Sequence, residues 1–432
     1  MSKQTADIPE GYRVTELGPL PEDWQVSTIG ALFDIHQGKA LSPKSRTGKC
    51  PHPFLRTANV LWGRVNLSVL DQMDFSDQEV ERLSLTPGDL LVCEGGDIGR
   101  TAMWRGEAQR CCYQNHVHRL RARSSGVIPA FYMYWMQAAI LLLGRYRGAG
   151  NKTTIPNLSQ SRLSRFEVPF PPLSEQKKIA AVLSTVQQAK EKTEAVIAAL
   201  RELKKSLMKH LFTYGPVAVD EAENVRLKET EVGMVPEGWE QGTLGRVALL
   251  VMGSSPRGET YNSDGKGLPL VNGPAEYGRR HPVPVKWTTD PTRVCKAGDT
   301  IVCVRGNTTG RMNEADRELC IGRGVAAISP VEAKSDRQFL WFLLEREAPK
   351  ILERATGGGS TFPNINKPEL MDWSIPVPPL PEQRRIGAQM ATLDAKIEAE
   401  QNRKTSLDQL FQTLLNDLMT ARVRVNDLEV GA

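Results

Sequence analysis

Two long stretches of the chain carry apolar residues at an alternating four-three spacing. The first runs Ile179, Leu183, Val186, Lys190, Thr193, Ile197, Leu200, Lys204, Leu207, Leu211. The second runs Ile386, Met390, Leu393, Ile397, Glu400, Lys404, Leu407, Phe411, Leu414, Leu418. This spacing lays one stripe along one face of a helix and predicts the seam of a coiled coil. Before the first stretch, Pro169, Pro171 and Pro172 exclude a helix, because proline lacks a donor and holds its neighbour extended. The helix is expected to start near Ser174, with Glu175 well placed in the first turn, and Gly215-Pro216 ends it. In the second stretch Pro381 suits the first helical position. Helices of about 39 residues would be ~58 Å long and could not bury such a stripe alone. The expected partner of each is the other; a parallel pair is possible, but antiparallel is preferred because two similar copies can then adopt pseudo-two-fold symmetry, and the polar seam residues Lys190, Thr193, Glu400 and Lys404 lower stability but fix register.

Between these stretches the pattern shortens. Apolar runs at residues 89–93, 117–120 and 300–304, broken by Gly, Pro, Asn and Asp, predict short strands and turns. Helices are expected at residues 129–143 (PAFYMYWMQAAILLL) and 336–347 (DRQFLWFLLERE). Their aromatic residues read better as core than as a base-stacking platform, because apolar groups at this density in a helix usually face an interior. The fold class expected is α+β: two similar mixed globules and two long helices.

The chain is also written twice. TELGPLPEDWQVSTIG at residues 15–30 matches TEVGMVPEGWEQGTLG at residues 230–245, with eight of sixteen positions identical. Gly88-Asp89 through Cys93 matches Gly298-Asp299 through Cys303, and residues 156–179 match residues 363–386 at ten of twenty-four positions. The ends of the two copies are alike and the middles differ, which suits one kind of task performed on two targets. The organisation expected is a globule over residues 1–171, a helix over 172–214, a linker and second globule over 215–379, a helix over 380–422 and a tail over 423–432.

The net charge of +5 permits nucleic-acid binding without requiring it. No apolar run approaches the ~20 residues of a membrane span, so a soluble, cytoplasmic chain is expected. The cysteines are odd in number and form no Cys-x-x-Cys pair, so neither a disulfide framework nor a structural zinc site is predicted. His116-x-His118 and Cys50-x-His52 each lack a second ligand pair, and no metal is expected. Phosphate-loop, dinucleotide, adenine-methyltransferase and hydrolase signatures are missing, and Asp316 with Glu332-x-Lys334 is too short a pattern to make a nuclease. The chain therefore reads as a binder or scaffold and not as an enzyme.

Thr-Glu-x-Gly-x-x-Pro-Glu-x-Trp at the head of each copy, and Pro-Pro-Leu-x-Glu-Gln-x-x-Ile before each long helix, resemble the specificity subunits of Type I restriction-modification systems. The resemblance covers nearly the whole chain. It implies that each globule reads one half of a split DNA site and that the antiparallel helices set the spacer. It also implies two docked methyltransferase subunits acting on adenine N6, and two restriction subunits adding translocation and cleavage. S-adenosylmethionine, ATP and magnesium would then belong to partners and no cofactor to this chain. The alternative is a two-copy coiled-coil scaffold binding protein or RNA.

Arginine suits guanine and phosphate, and asparagine or glutamine suits adenine. In the first copy the candidates for DNA contact are Arg100, Arg105, Arg110, Gln114, Asn115 and Arg119, with Lys152 for a phosphate. In the second they are Arg257, Asn262, Asn272, Arg279, Arg280, Arg305, Asn307 and Arg311. The Gly/Thr loops at residues 148–154 and 357–361 read either as backbone contacts or as turns that aim the chain into the long helix.

Overall fold

The computed structural model describes residues 9–145, 157–357 and 363–425. The chain divides into two compact units, residues 1–194 with 402–432, and residues 195–401. The repeat in the sequence and the unit in space therefore differ. Each unit combines one globule with the start of its own long helix and the end of the other copy's helix.

In the first unit strands β1 (Phe33–Gln37), β2 (Leu90–Cys93), β3 (Thr101–Met103) and β4 (Val117–Ala122) form an antiparallel sheet in the order β3-β2-β4-β1. Helix α1 (Pro129–Leu141) and the long helix α2 (Leu173–Tyr214) follow. In the second unit β5 (Ala248–Met252), β6 (Thr300–Cys303), β7 (Met312–Glu314) and β8 (Val325–Pro330) repeat the same order as β7-β6-β8-β5. Helix α3 (Arg337–Gly357) and the long helix α4 (Leu380–Met419) complete it. Smaller sheets diverge: three strands around Pro51–Leu55 in the first unit, five around Leu268–Val271 in the second.

The helical aromatics are core. Phe131, Tyr132, Tyr134 and Trp135 are all buried in the first unit, Tyr132 against Phe33 of the sheet and Tyr134 against Phe411 of the long helix, and Phe339 and Phe342 are buried in the second unit. Removing such a side chain from water contributes about 1.5–3 kcal/mol each. Helix α3 runs past the expected end at Glu347 and keeps Pro349 inside it. Buried Ile351 and Ala355 beyond the proline hold the last turns, so packing outweighs the lost backbone hydrogen bond.

The two repeated motifs form one clasp. Glu175, at the start of α2, accepts a hydrogen bond from Trp24 Nε1 at 2.7 Å, and Gln176 accepts one from the Ile128 backbone N–H at 3.0 Å. In the second unit Glu382 takes Trp239 at 2.8 Å and Gln383 takes the Asp336 N–H at 2.9 Å. The Gln176 amide donates onward to the carbonyls of Gly126 and Pro171, and that of Gln383 to those of Lys334 and Pro378. The Pro-rich strands Glu167–Phe170 and Ser374–Val377 pair antiparallel with Gln25–Thr28 and Glu240–Thr243. The clasp thus welds the base of each long helix to the head of its copy.

Within each unit the two helices run antiparallel. In the first, Lys190 pairs with Asp408 at 2.8 Å and Glu194 with Lys404 at 3.4 Å, so four residues up one helix match four down the other. In the second, Lys204 pairs with Asp394 at 2.6 Å in the same register. Ile179, Leu183, Ile197, Leu211, Ile386, Met390, Leu393, Ile397, Phe411 and Leu418 are buried, and Val186, Leu200, Leu207, Leu407 and Leu414 are half-buried.

Candidate nucleic-acid interface

Three chain reversals meet at one end of each four-stranded sheet. In the first unit these are the turn after β1, the loop after β2 and the residues entering β4. Lys39 N–H donates to the Tyr113 carbonyl, Asn115 N–H to Lys39, and Glu94 N–H to His116. In the second unit Ser254 N–H donates to Ile321, and Val304 N–H to Gly324, in the same pattern. A Cβ on Gly38 would lie 2.2 Å from the Tyr113 carbonyl oxygen, and one on Gly253 would lie 2.1 Å from that of Gly322. Only glycine allows the strands to approach this closely.

Equivalent positions on this common frame carry different chemistry. The backbone of Gln114 bonds Leu55, and that of Gly322 bonds Val271, so Arg56 and Asn272 hold the same place. By the same correspondence Lys39 is the counterpart of Ser254, Gln114 of Gly322, and Asn115 of Arg323. The loop after β2 reads Glu94-Gly95-Gly96-Asp97-Ile98-Gly99-Arg100, whereas its counterpart after β6 reads Val304-Arg305-Gly306-Asn307-Thr308-Thr309-Gly310-Arg311. Both loops close alike: Gly99 and Gly310 donate to the carbonyls of Cys93 and Cys303. One loop is acidic and the other basic, with Arg305, Asn307 and Arg311 exposed. Next to these loops lie Leu158 and Ile365, whose N–H groups donate to Glu94 and Val304.

The sheet end gathers Gln114, Asn115, Asn272, Arg305, Asn307 and Arg311 from the sequence candidates. Arg100 is there too, but its guanidinium is committed to Asp97 at 2.6 Å and to the Thr57 carbonyl at 2.6 Å. Arg56 and Arg323 were missed by the sequence reading. Arg323 lies between two glycines, a local signal of close chain approach, but only the fold brings it beside Asn272 through Gly322.

Other candidates lie elsewhere. Arg119 is a correction: it is only 4% exposed and donates to the Arg82 carbonyl at 3.1 Å, so it is an interior residue. Arg105 is exposed but follows Trp104, which bonds Asp89 at the opposite end of the sheet, and exposed Arg110 lies beside Cys111, which bonds Leu85. Exposed Arg279 adjoins Arg280, which bonds Glu314 at 2.5 Å and stacks on Trp341 at 4.2 Å, also at the opposite end of its sheet. Asn262 spends its side chain inside its own turn, on the backbone of Asp264 and Lys266. Arg257 is exposed beside Glu259. Lys152 and the Gly/Thr loops, apart from Gly357, lie outside the described residues.

Two titratable groups of the first sheet near this end, His118 and Cys93, are buried. His118 is buried, its Nε2 donating to the Leu158 carbonyl at 3.0 Å, and burial pulls its pKa below the usual value. Burial pushes the Cys93 thiol up to about 11, which disfavours a thiolate. No group of three or more metal-ligating side chains occurs among the described residues.

A family model for the Type I restriction modification DNA specificity domain matches residues 21–202 and again 236–409. The chain is 31% identical over 96% of its length to a putative Type I restriction enzyme MjaX specificity subunit of Methanocaldococcus jannaschii, covering 97% of that protein. It is 24% identical over 95% of its length to the MjaVIII specificity subunit of the same organism, covering 95% of that protein. The fold is similar to a Type I restriction-modification S subunit from M. genitalium, with a TM-score of 0.63 at 20% identity over 91% of this chain and 96% of that one. With two matched domains, a duplicated frame and an antiparallel helix pair, the chain belongs to the DNA specificity subunits of Type I restriction-modification systems.

Proposed function

We propose that each unit reads one half of a bipartite duplex site with the side chains at its sheet end, and that the paired helices set the distance between the halves. The observation that carries this is the exchange of chemistry on a constant frame: Lys39, Arg56, Gln114 and Asn115 in one unit become Ser254, Asn272, Gly322 and Arg323 in the other. Arginines beside amide side chains supply both phosphate anchoring and base-edge recognition. The exposed basic loop from Arg305 to Arg311 strengthens the second unit's grip on the backbone.

In this reading the chain performs no chemistry. Two methyltransferase subunits dock on the helices and carry S-adenosylmethionine to adenine N6. Two restriction subunits supply ATP- and magnesium-dependent translocation and cleavage. The complex works on chromosomal DNA in the cytoplasm of a bacterium or archaeon. Val196, Leu203 and Leu410 are apolar yet exposed on the long helices and offer themselves to a docked subunit.

The test is long-read mapping of N6-methyladenine in a host expressing this chain with its methyltransferase. The expected result is a split motif methylated on opposite strands of its two halves. Exchanging the first globule for that of another family member should change one half only. Active methyltransferase without a split motif would overturn the reading.

A further inference from the structure

The loop after β2 opens on a carboxylate that the common frame does not require. Glu94 Oε2 accepts from Gln37 Nε2 at 3.4 Å and lies 3.5 Å from His116 Nδ1. Gln37 is held more closely by the Asn115 carbonyl, at 2.9 Å. Glu94 Oε1 takes no hydrogen bond among the described residues, and the side chain is 14% exposed beside exposed Gln37 and His116. Asp97 in the same loop is drawn to Arg100 at 2.6 Å, whereas among the described residues no lysine or arginine pairs with Glu94.

The second unit builds the same frame without this group. Glu94 N–H donates to the His116 carbonyl as Val304 N–H does to that of Gly324. Gln37 lies opposite His118 as Met252 lies opposite Ala326. The trio Glu94, Gln37 and His116 is therefore Val304, Met252 and Gly324 in the other unit, where Val304 is fully buried. A carboxylate largely out of water and without a cation costs stability. At an end that meets DNA it also repels the phosphates. Neither cost serves the backbone frame, which valine satisfies.

We infer that Glu94 determines one base of the first half-site, its carboxylate accepting a hydrogen bond from an exocyclic amino group in the major groove, cytosine N4 or adenine N6. Those two groups are the base-edge donors of that groove, while guanine O6 and N7 and thymine O4 are acceptors that a carboxylate repels. The charge that weakens contact with phosphate thus rejects the wrong base. Gln37 and His116 stand on the Oε2 side and leave Oε1 for the donor. The inference rests on the reading that the sheet ends face the duplex.

The experiment compares the unmodified chain with Glu94→Gln and Glu94→Val, each assembled with its methyltransferase, by N6-methyladenine mapping and by fluorescence anisotropy on duplexes. Glu94→Gln keeps the shape and removes the charge, and Glu94→Val installs the second unit's residue. Both should relax one position of the first half-site, discrimination there falling roughly tenfold or more, and leave the second half-site unchanged. Affinity for non-cognate duplex should rise, because a negative charge has left the interface. The relaxed pair identifies the donor: C·G assigns cytosine N4, and A·T assigns adenine N6. An unchanged motif in both variants would overturn the inference. So would a uniform fall in methylation and affinity across all sequences, which would make Glu94 a purely structural residue. A split motif missing already from the unmodified chain would instead remove the reading beneath the inference, and the inference with it.

Discussion

Replacing Glu175 by alanine removes the group on which three parts of the first unit converge. Its carboxylate, 3% exposed, accepts from Trp24 Nε1 at 2.7 Å and from Arg424 Nε and Nη2 at 2.7 and 2.9 Å. Trp24 is fully buried, so its indole N–H would be left without a partner, at a cost of about 1–3 kcal/mol. Arg424 is a quarter exposed and keeps Asp23 at 2.8 Å, so its share is discounted to about 1 kcal/mol. The sum is roughly 2–4 kcal/mol, or a thirtyfold to several-hundredfold loss of protection. In the second unit Glu382→Ala is the matched control. Trp239 bonds Glu382 at 2.8 Å, but Glu382 is half-exposed, so water can reach the vacated site and the cost falls to about 1 kcal/mol. Two units need not unfold together, so the assay is hydrogen exchange by mass spectrometry on peptides spanning Trp24 and Trp239. Equal loss of protection in the two variants would refute the argument that burial and the Arg424 contact set the magnitude.

Other predictions follow from the same geometry. Arg311→Ala and Arg305→Ala should each lower the salt dependence of DNA binding by about 0.9 in log–log slope if they hold phosphates, measured by fluorescence anisotropy across salt. Arg119→Ala should instead lower thermal stability and leave the slope unchanged, because Arg119 is interior. Gly253→Ala should cost about 1–3 kcal/mol in urea unfolding of the second unit, since its Cβ would sit 2.1 Å from the Gly322 carbonyl oxygen. His118 should make stability fall on acidification. Burial lowers its folded pKa, so the unfolded chain takes up a proton first, and stability present above about pH 6.5 is lost as pH drops towards the folded value. His118→Gln should flatten that part of the stability profile, the fall that sets in below about pH 6.5.

The sequence by itself determined the elements whose physics is local or periodic. The four-three stripes specified both long helices, and the prolines before them forced the extended strands that precede each. The duplicated Trp and Glu-Gln motifs were legible as motifs, and two like helices in one chain favoured antiparallel pairing over parallel without deciding it, which the ion pairs of the folded helices do. What those motifs do was not legible, because Trp24 and Glu175 are separated by 151 residues and meet only through the fold. The same limit governs the candidate site. Choosing Arg100, Arg105, Arg110 and Arg119 by residue type could not separate Arg119 from a surface residue, because burial depends on which strand face the sheet covers. Arg56 carries no local signal in the chain and Arg323 only its flanking glycines, yet contacts between distant turns bring each to the loop end of its unit, where equivalent positions differ in chemistry. Periodicity settles which segments become helix and strand; long-range packing alone decides which polar side chains are left facing outward together.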